Sequence, residues 1–342
     1  MVTKTINGTN FNDDGTNGHK QLIGGNEAEI ILGLNGNDVL DGRGGNDTLR
    51  GGEGDDIIND GSGINQVFGE GGNDQILASG LLDGGDGNDE LDGGRGNDTI
   101  RGGSGDDLSF SGDGSDQLFG GSGNDRLLGA NGNDLVNGDE GNDELFGDLF
   151  DETFLASGND TLHGGLGKDT LHGEQGSDQL FGDEGDDQIF GDSGADKLTG
   201  GLGTDLLVGG AGNDTLIGVD PTAVHPGRGE EDDLFDNEGA NTFILGVKGK
   251  IFYQDGNVNS PGPKPATGDS FAFIQEYDPG EDHIQLAGKR SQYTLDLVKF
   301  APNGFPETGI YLKTGTNTRE LVAVLAVFQS TVNLDSSNFS FV

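Results

Sequence analysis

The stretch GLNGNDVLDGRGGNDTLRGGEGDDIIN, Gly33 to Asn59, reads as three nine-residue blocks in one register. Each block has glycine first and fourth, Asp sixth and an aliphatic residue eighth: Leu40, Leu49 and Ile58. Glycine tolerates positive φ and close backbone approach, so the first six positions suit a tight turn and the last three a short strand. Side chains alternate across a strand, which turns only the eighth residue inward. Two blocks then make one coil, and stacked coils enclose a thin aliphatic core between two parallel sheets.

The register extends far beyond this stretch. The first block that fits is GTNGHKQLI at Gly15; DGSGINQVF and GEGGNDQIL follow Asn59, and the pattern runs without a gap from Gly84 to Phe146 and from Gly164 to Ile217. Two irregular blocks keep the strand rhythm, Ala78 to Asp83 with six residues and Ala156 to His163 with eight. Ser109 is the one polar residue at an eighth position. A fixed period of this kind separates an ordered solenoid from disordered low complexity.

Composition agrees with a thin core. Of 342 residues 30% are hydrophobic and 68 are glycine, too apolar-poor for an ordinary packed interior. Asp and Glu outnumber Lys and Arg 61 to 18, giving a formal charge of -43. Such a chain repels itself unless cations intervene, and it lacks the basic surface that nucleic acid or anionic membranes require. The absence of cysteine excludes disulfides and thiolate sites. MVTKTINGTN has no apolar signal-peptide core, and the best apolar run, Leu321 to Phe328, is too short to span a bilayer.

The blocks resemble the GGxGxDxUx nonapeptide of RTX proteins over about 200 residues. The resemblance implies an all-β fold, a right-handed parallel β-roll, with Ca²⁺ held between the turns of blocks i and i+2 by carbonyls and sixth-position Asp side chains. Sorting the blocks by parity gives two edges. One carries Asp38, Asp56, Asp74, Asp89, Asp107, Asp125, Asp143, Asp160, Asp178, Asp196 and Asp214. The other carries Glu29, Asp47, Asn65, Asp98, Asp116, Asp134, Glu152, Asp169, Asp187 and Asp205. The expectation is a near-continuous calcium column on the first edge and an interrupted one on the second, about fourteen ions in all, with the Lys20 ammonium closing the first column. Weak extracellular calcium sites further imply a chain unfolded in calcium-poor cytoplasm that folds outside the cell.

The expected organisation is an N-terminal cap over 1–23, the roll over 24–245 and a β-rich C-terminal cap over 246–342. In the last segment, strand-like runs lie at Ser270 to Ile274, His283 to Leu286, Ile310 to Lys313 and Leu321 to Phe328. After Ile217 the rhythm loosens, with Asp232 a further candidate ligand and Asn241 a cap. FIQEYDPGEDHIQLAG and the ending LDSSNFSFV resemble the C-termini of secreted RTX proteins, implying an address for the type I secretion machinery. No histidine stands in an HExxH and no GxSxG occurs, so the function expected is a secreted, non-enzymatic calcium-binding module. Two rivals are an enzyme or carbohydrate-binding unit around Asp278, Glu281, Asp282 and His283, and self-association through an outward column of Phe110, Leu128, Phe146, His163, Phe181, Thr199 and Ile217.

Overall fold

A computed structural model describes residues 4–15, 20–148, 158–223, 230–235, 237–247, 250–251, 271–275, 282–298, 307–313, 319–325 and 339–342. The chain forms two compact units, Met1–Asp169 and Thr170–Val342. Both are parallel β-rolls. Among the described residues there is no α-helix, only one 3-10 turn at Arg290–Gln292, and no helix long and apolar enough to cross a membrane.

In the first unit one sheet stacks Lys4–Asn7, Glu29–Asn35, Thr48–Glu53, Asn65–Gly71, Gly80–Asp86, Thr99–Ser104, Gln117–Ser122, Leu135–Glu140 and Thr161–Leu166 in that order. The facing sheet stacks Leu22–Ile23, Val39–Asp41, Ile57–Asn59, Gln75–Leu77, Glu90–Asp92, Leu108–Asp113, Arg126–Asn131 and Glu144–Phe146. Successive strands of the chain alternate between sheets, so each residue pairs with the one two blocks on: Leu40 with Ile58, Ile100 with Leu118. The six-residue block is absorbed in register, Val67 pairing with Leu82.

The eighth-position side chains form the core. Ile31, Leu49, Val67, Leu82, Ile100, Leu118, Val136 and Leu162 from one sheet meet Leu40, Ile58, Ile76, Leu91, Leu127 and Leu145 from the other, all essentially inaccessible to solvent. Burying each such side chain contributes about 1.5–3 kcal/mol, and no single coil has a partner for its own apolar face without neighbours above and below. Ser109 lies in this stack, fully buried, its hydroxyl without a hydrogen-bond partner. On the outer faces arginines are held across coils: the Arg50 guanidinium sits 4.5 Å from the Phe68 ring and 2.6 Å from Glu70, and that of Arg126 lies 5.1 Å from the Phe146 ring.

The second unit repeats the plan. Gln179–Glu184, Lys197–Leu202, Thr215–Val219, Thr242–Ile244, His283–Leu286 and Phe339–Phe341 form one sheet. Thr170–His172, Gln188–Phe190, Leu206–Val208, Glu231–Phe235, Phe271–Gln275 and Arg319–Leu325 form the other. Beyond Ile217 the spacing lengthens but the parallel stacking persists, with Leu234, Phe243, Ile274 and Ile284 continuing the buried file. Glu307–Lys313 pairs antiparallel with Arg319–Leu325, and Tyr293–Val298 pairs antiparallel with Glu307–Lys313. Within the described residues, the expected strand-like runs of the C-terminal segment overlap Phe271–Gln275, His283–Leu286, Glu307–Lys313 and Arg319–Leu325, with Ser270 and 326–328 outside them; Tyr293–Val298 is additional.

Candidate metal sites along the turns

Each turn enters its strand through the sixth-position residue, whose backbone N–H has no partner in its own coil. The side chain two blocks later supplies one. Asp38 N–H donates to Asp56 Oδ1, Asp56 N–H to Asp74 and Asp74 N–H to Asp89, each at 2.7 Å. The same bond links Asp89 to Asp107, Asp107 to Asp125 and Asp125 to Asp143 at 2.8 Å. On the opposite edge of the first unit Asp98 donates to Asp116 and Asp116 to Asp134. In the second unit Asp178 donates to Asp196 and Asp196 to Asp214 on one edge, and Asp187 to Asp205 on the other.

One carboxylate oxygen is used in this way, and the other is not. Oδ2 of Asp56, Asp74, Asp89, Asp98, Asp107, Asp125, Asp134, Asp143, Asp196 and Asp205 is buried without a hydrogen-bond partner. The remaining sixth-position aspartates, Asp38, Asp47, Asp116, Asp160, Asp169, Asp178, Asp187 and Asp214, are buried to the same degree. First-position glycines leave the space that these oxygens face. A Cβ on Gly129 would lie 2.6 Å from both Asp134 Oδ2 and the Gly147 carbonyl, and one on Gly191 would lie 2.5 Å from the Gly209 carbonyl and 2.8 Å from Asp196 Oδ2.

Burial penalises the charged form of these carboxyls, and neighbouring carboxylates act in the same direction. Asp56, Asp74, Asp107, Asp134 and Asp196 are pushed up to about 7 by desolvation, against the opposing effect of the backbone N–H bond. Asp205, beside Asp232, is pushed up to about 8, again mainly by burial. Closely stacked, donor-poor carboxylates edged by carbonyls form an all-oxygen environment. Calcium is the cation that takes six to eight oxygens in flexible geometry, so the residues present fit it.

Two assignments made from parity are corrected here. Asp143 N–H donates to Asp169 Oδ1 at 2.7 Å and Asp134 N–H to Asp160 Oδ1 at 2.8 Å, so Asp160 and Asp169 exchange edges. The reason is that Leu145 pairs with Leu127, while Leu162 pairs with Val136 on the facing sheet, so the strands at Phe146 and Thr161 belong to opposite sheets. His163 accordingly pairs with Asn137 and leaves the Phe110, Leu128, Phe146 column. Glu152 lies outside the described residues, as do Asp278 and Glu281. Lys20 does not close the first ladder either. Asp13 precedes Asp38, its N–H 2.5 Å from Asp38 Oδ1, while Lys20 is exposed.

Several rungs had not been anticipated as such. Gly8 and Asp13 keep the first and sixth positions of a block whose fourth residue is Phe11, a signal the sequence does carry. Past the regular repeats, Asp205 donates to Asp232, the candidate already named from the sequence, while Asp214 donates to Asn241 and Asn241 to Asp282, so Asn241 continues its ladder and Asp282 extends it. Asp148, buried, accepts from Gly158 N–H at 3.1 Å and adds its charge to that felt by Asp134. Outside the ladders, His172 Nδ1 lies 3.1 Å from Asp192 Oδ2, both side chains partly buried, and the ring stacks on Phe190.

The RTX calcium-binding nonapeptide repeat, in its four-copy form, matches residues 23–58, 50–80, 83–118, 119–151, 156–189 and 181–216. The chain belongs to the RTX repeat family. No curated protein matches it as a relative. This RTX chain is a calcium-binding repeat protein with a parallel β-roll fold, and the ladders lie on the turns that the repeats define.

Proposed function

We propose that the sixth-position aspartates of both edges hold calcium between turns two blocks apart, and that the protein is a secreted, non-enzymatic module whose roll forms when calcium binds outside the cell. The observation that carries the reading is the division of labour within each carboxylate: Oδ1 closes a backbone bond while Oδ2 is buried with no donor. A buried ionised oxygen of this kind is costly unless a cation meets it. Bound calcium would supply a positive charge shared between adjacent turns; the chain supplies the oxygens, their spacing and the exclusion of water. Because the unfolded chain has no preformed site, binding energy becomes folding energy.

Export follows as the economical route. A strongly acidic roll that needs roughly 10⁻⁴ to 10⁻³ M calcium would stay unwound in cytoplasm and close after release. The C-terminal likeness to secreted RTX proteins supports this, with a type I machinery as the carrier. Circular dichroism of the full chain in chelator, during calcium titration and with magnesium instead tests the core of the reading. A cooperative gain of β structure with calcium and little with magnesium is expected; full β structure in chelator at neutral pH would refute it.

A further inference from the structure

One block departs from the pattern twice. In DGSGINQVF, Asp60 replaces the first-position glycine and Asn65 the sixth-position aspartate. By the ladder rule alone, this level looks like a break in the second edge. The structure reads differently. Asn65 keeps the backbone role, its Oδ1 accepting Asp47 N–H at 3.0 Å.

Asp60 supplies a carboxylate from the first position, where the pattern has glycine. Its side chain reaches back to the turn two blocks earlier, where a Cβ on Gly42 would lie 2.6 Å from Asp60 Oδ2 and 2.7 Å from Oδ1. At the corresponding place beside Gly51 the neighbouring turn presents only the Gly69 carbonyl. Asp60 is 3% exposed and Asp47 2%; no donor from another residue reaches either oxygen of Asp60 or Oδ2 of Asp47, and the two carboxyl groups face each other within hydrogen-bonding reach. The cations nearby are engaged elsewhere, Arg43 with Asp41 at 3.6 Å and Lys4 with Glu29 at 3.7 Å. The Asp60 backbone is fixed by its N–H bond to the Leu77 carbonyl, 2.9 Å.

We infer that the space between turns Gly42–Asp47 and Asp60–Asn65 is a calcium site with two carboxylate ligands, Asp47 and Asp60, that the nonapeptide pattern does not contain. The inference rests on the calcium reading above and deepens it. Two buried carboxylates side by side can be reconciled by a shared proton or by a cation; Asp60 restores the carboxylate that Asn65 lacks, so this level is a site of its edge instead of a gap.

The test is a crystal structure of the full chain grown in calcium, with anomalous scattering to locate the ions, for the native protein and Asp60→Asn. An ion between these two turns, within about 2.3–2.6 Å of oxygens from both Asp47 and Asp60, is expected. Asp60→Asn should lose that ion and retain those between Asp56 and Asp74. An amide can still bridge to Asp47, so a proton-sharing pair would leave the ion pattern unchanged in the variant, and that result overturns the proposal. So does an ion that Asp60 does not touch. Absence of ions at Asp56 and Asp74 as well would instead bring down the general calcium reading. Equilibrium dialysis of the same two proteins gives a crystal-free measure: one calcium fewer per chain for Asp60→Asn supports the site, and equal stoichiometry rejects it.

Discussion

At the scale of the residue, each ladder aspartate is asked for two different things, and substitutions separate them. Asp107 accepts Asp89 N–H through Oδ1 and directs Oδ2 into the turn space. Asp107→Asn keeps an acceptor of the same shape and removes the charge; Asp107→Ala removes both. Calcium affinity should fall in both variants, but Asp107→Ala should lose a further 1–3 kcal/mol or so of stability, read by denaturant unfolding at saturating calcium. Equal losses would mean that the backbone bond has no separate role. Glycines divide in the same manner. Gly129→Ala places a methyl group against Asp134 Oδ2 and the Gly147 carbonyl, whereas the nearest atoms to a Cβ on Gly71 are 3.7–3.9 Å away. Gly129→Ala is expected to weaken calcium-induced folding and Gly71→Ala to leave its calcium midpoint within about twofold of the native value.

At the scale of the strand and turn, the core is a single file per sheet, so each position tells on its two neighbours. Leu118→Ala should cost about 2–5 kcal/mol, since no second layer exists to collapse into the cavity. Ser109→Ala should raise stability by about 1 kcal/mol by deleting a buried hydroxyl with no partner; a loss, measured by calcium-saturated unfolding, would show that the hydroxyl is satisfied in solution. Period and inward face were legible in the sequence because glycine, Asp and aliphatic recur at fixed offsets, from Ile31 and Leu40 through Leu216. Parity after Phe146 was not. Thr153-Phe154-Leu155 reads as the end of a block, and only the pairing of Val136 with Leu162 puts the Thr161 strand on the sheet facing Phe146. Asp13 and Asp282 escaped for a related reason: they bond across 25 and 41 residues, so the spacing that identifies a rung is missing although the rung is present. Asp60 was visible as a non-glycine, yet its meaning depends on which turn lies behind it.

At the scale of the whole molecule, the pH dependence of folding should reverse with metal. The metal-free folded state raises its ladder carboxyls from the ordinary 3.8 to about 6 at Asp98, Asp125 and Asp143, and to about 7 at Asp56, Asp74 and Asp107. Groups raised on folding stabilise fully below their unfolded value and lose that contribution as pH climbs through the folded one. In chelator, β structure should therefore survive best near pH 4 and vanish toward pH 7–8; in calcium, which needs the ionised form, the dependence should invert, with affinity falling below pH 6 or so. Circular dichroism against pH in the two buffers measures both limbs, and parallel curves would contradict the coupling. The ladder bonds carry one more implication. In the first unit the donor always belongs to the earlier turn and the acceptor to the later, as from Asp56 to Asp74 and from Asp74 to Asp89. A chain nicked between those last two turns would leave the Asp74 amide and the Asn73 side-chain oxygen bare on one face of the break, and the Asp89 carboxylate and the Asn88 amide bare on the other. Two such pieces are matched like plug and socket, which makes this a natural place to split the protein and have calcium rejoin it.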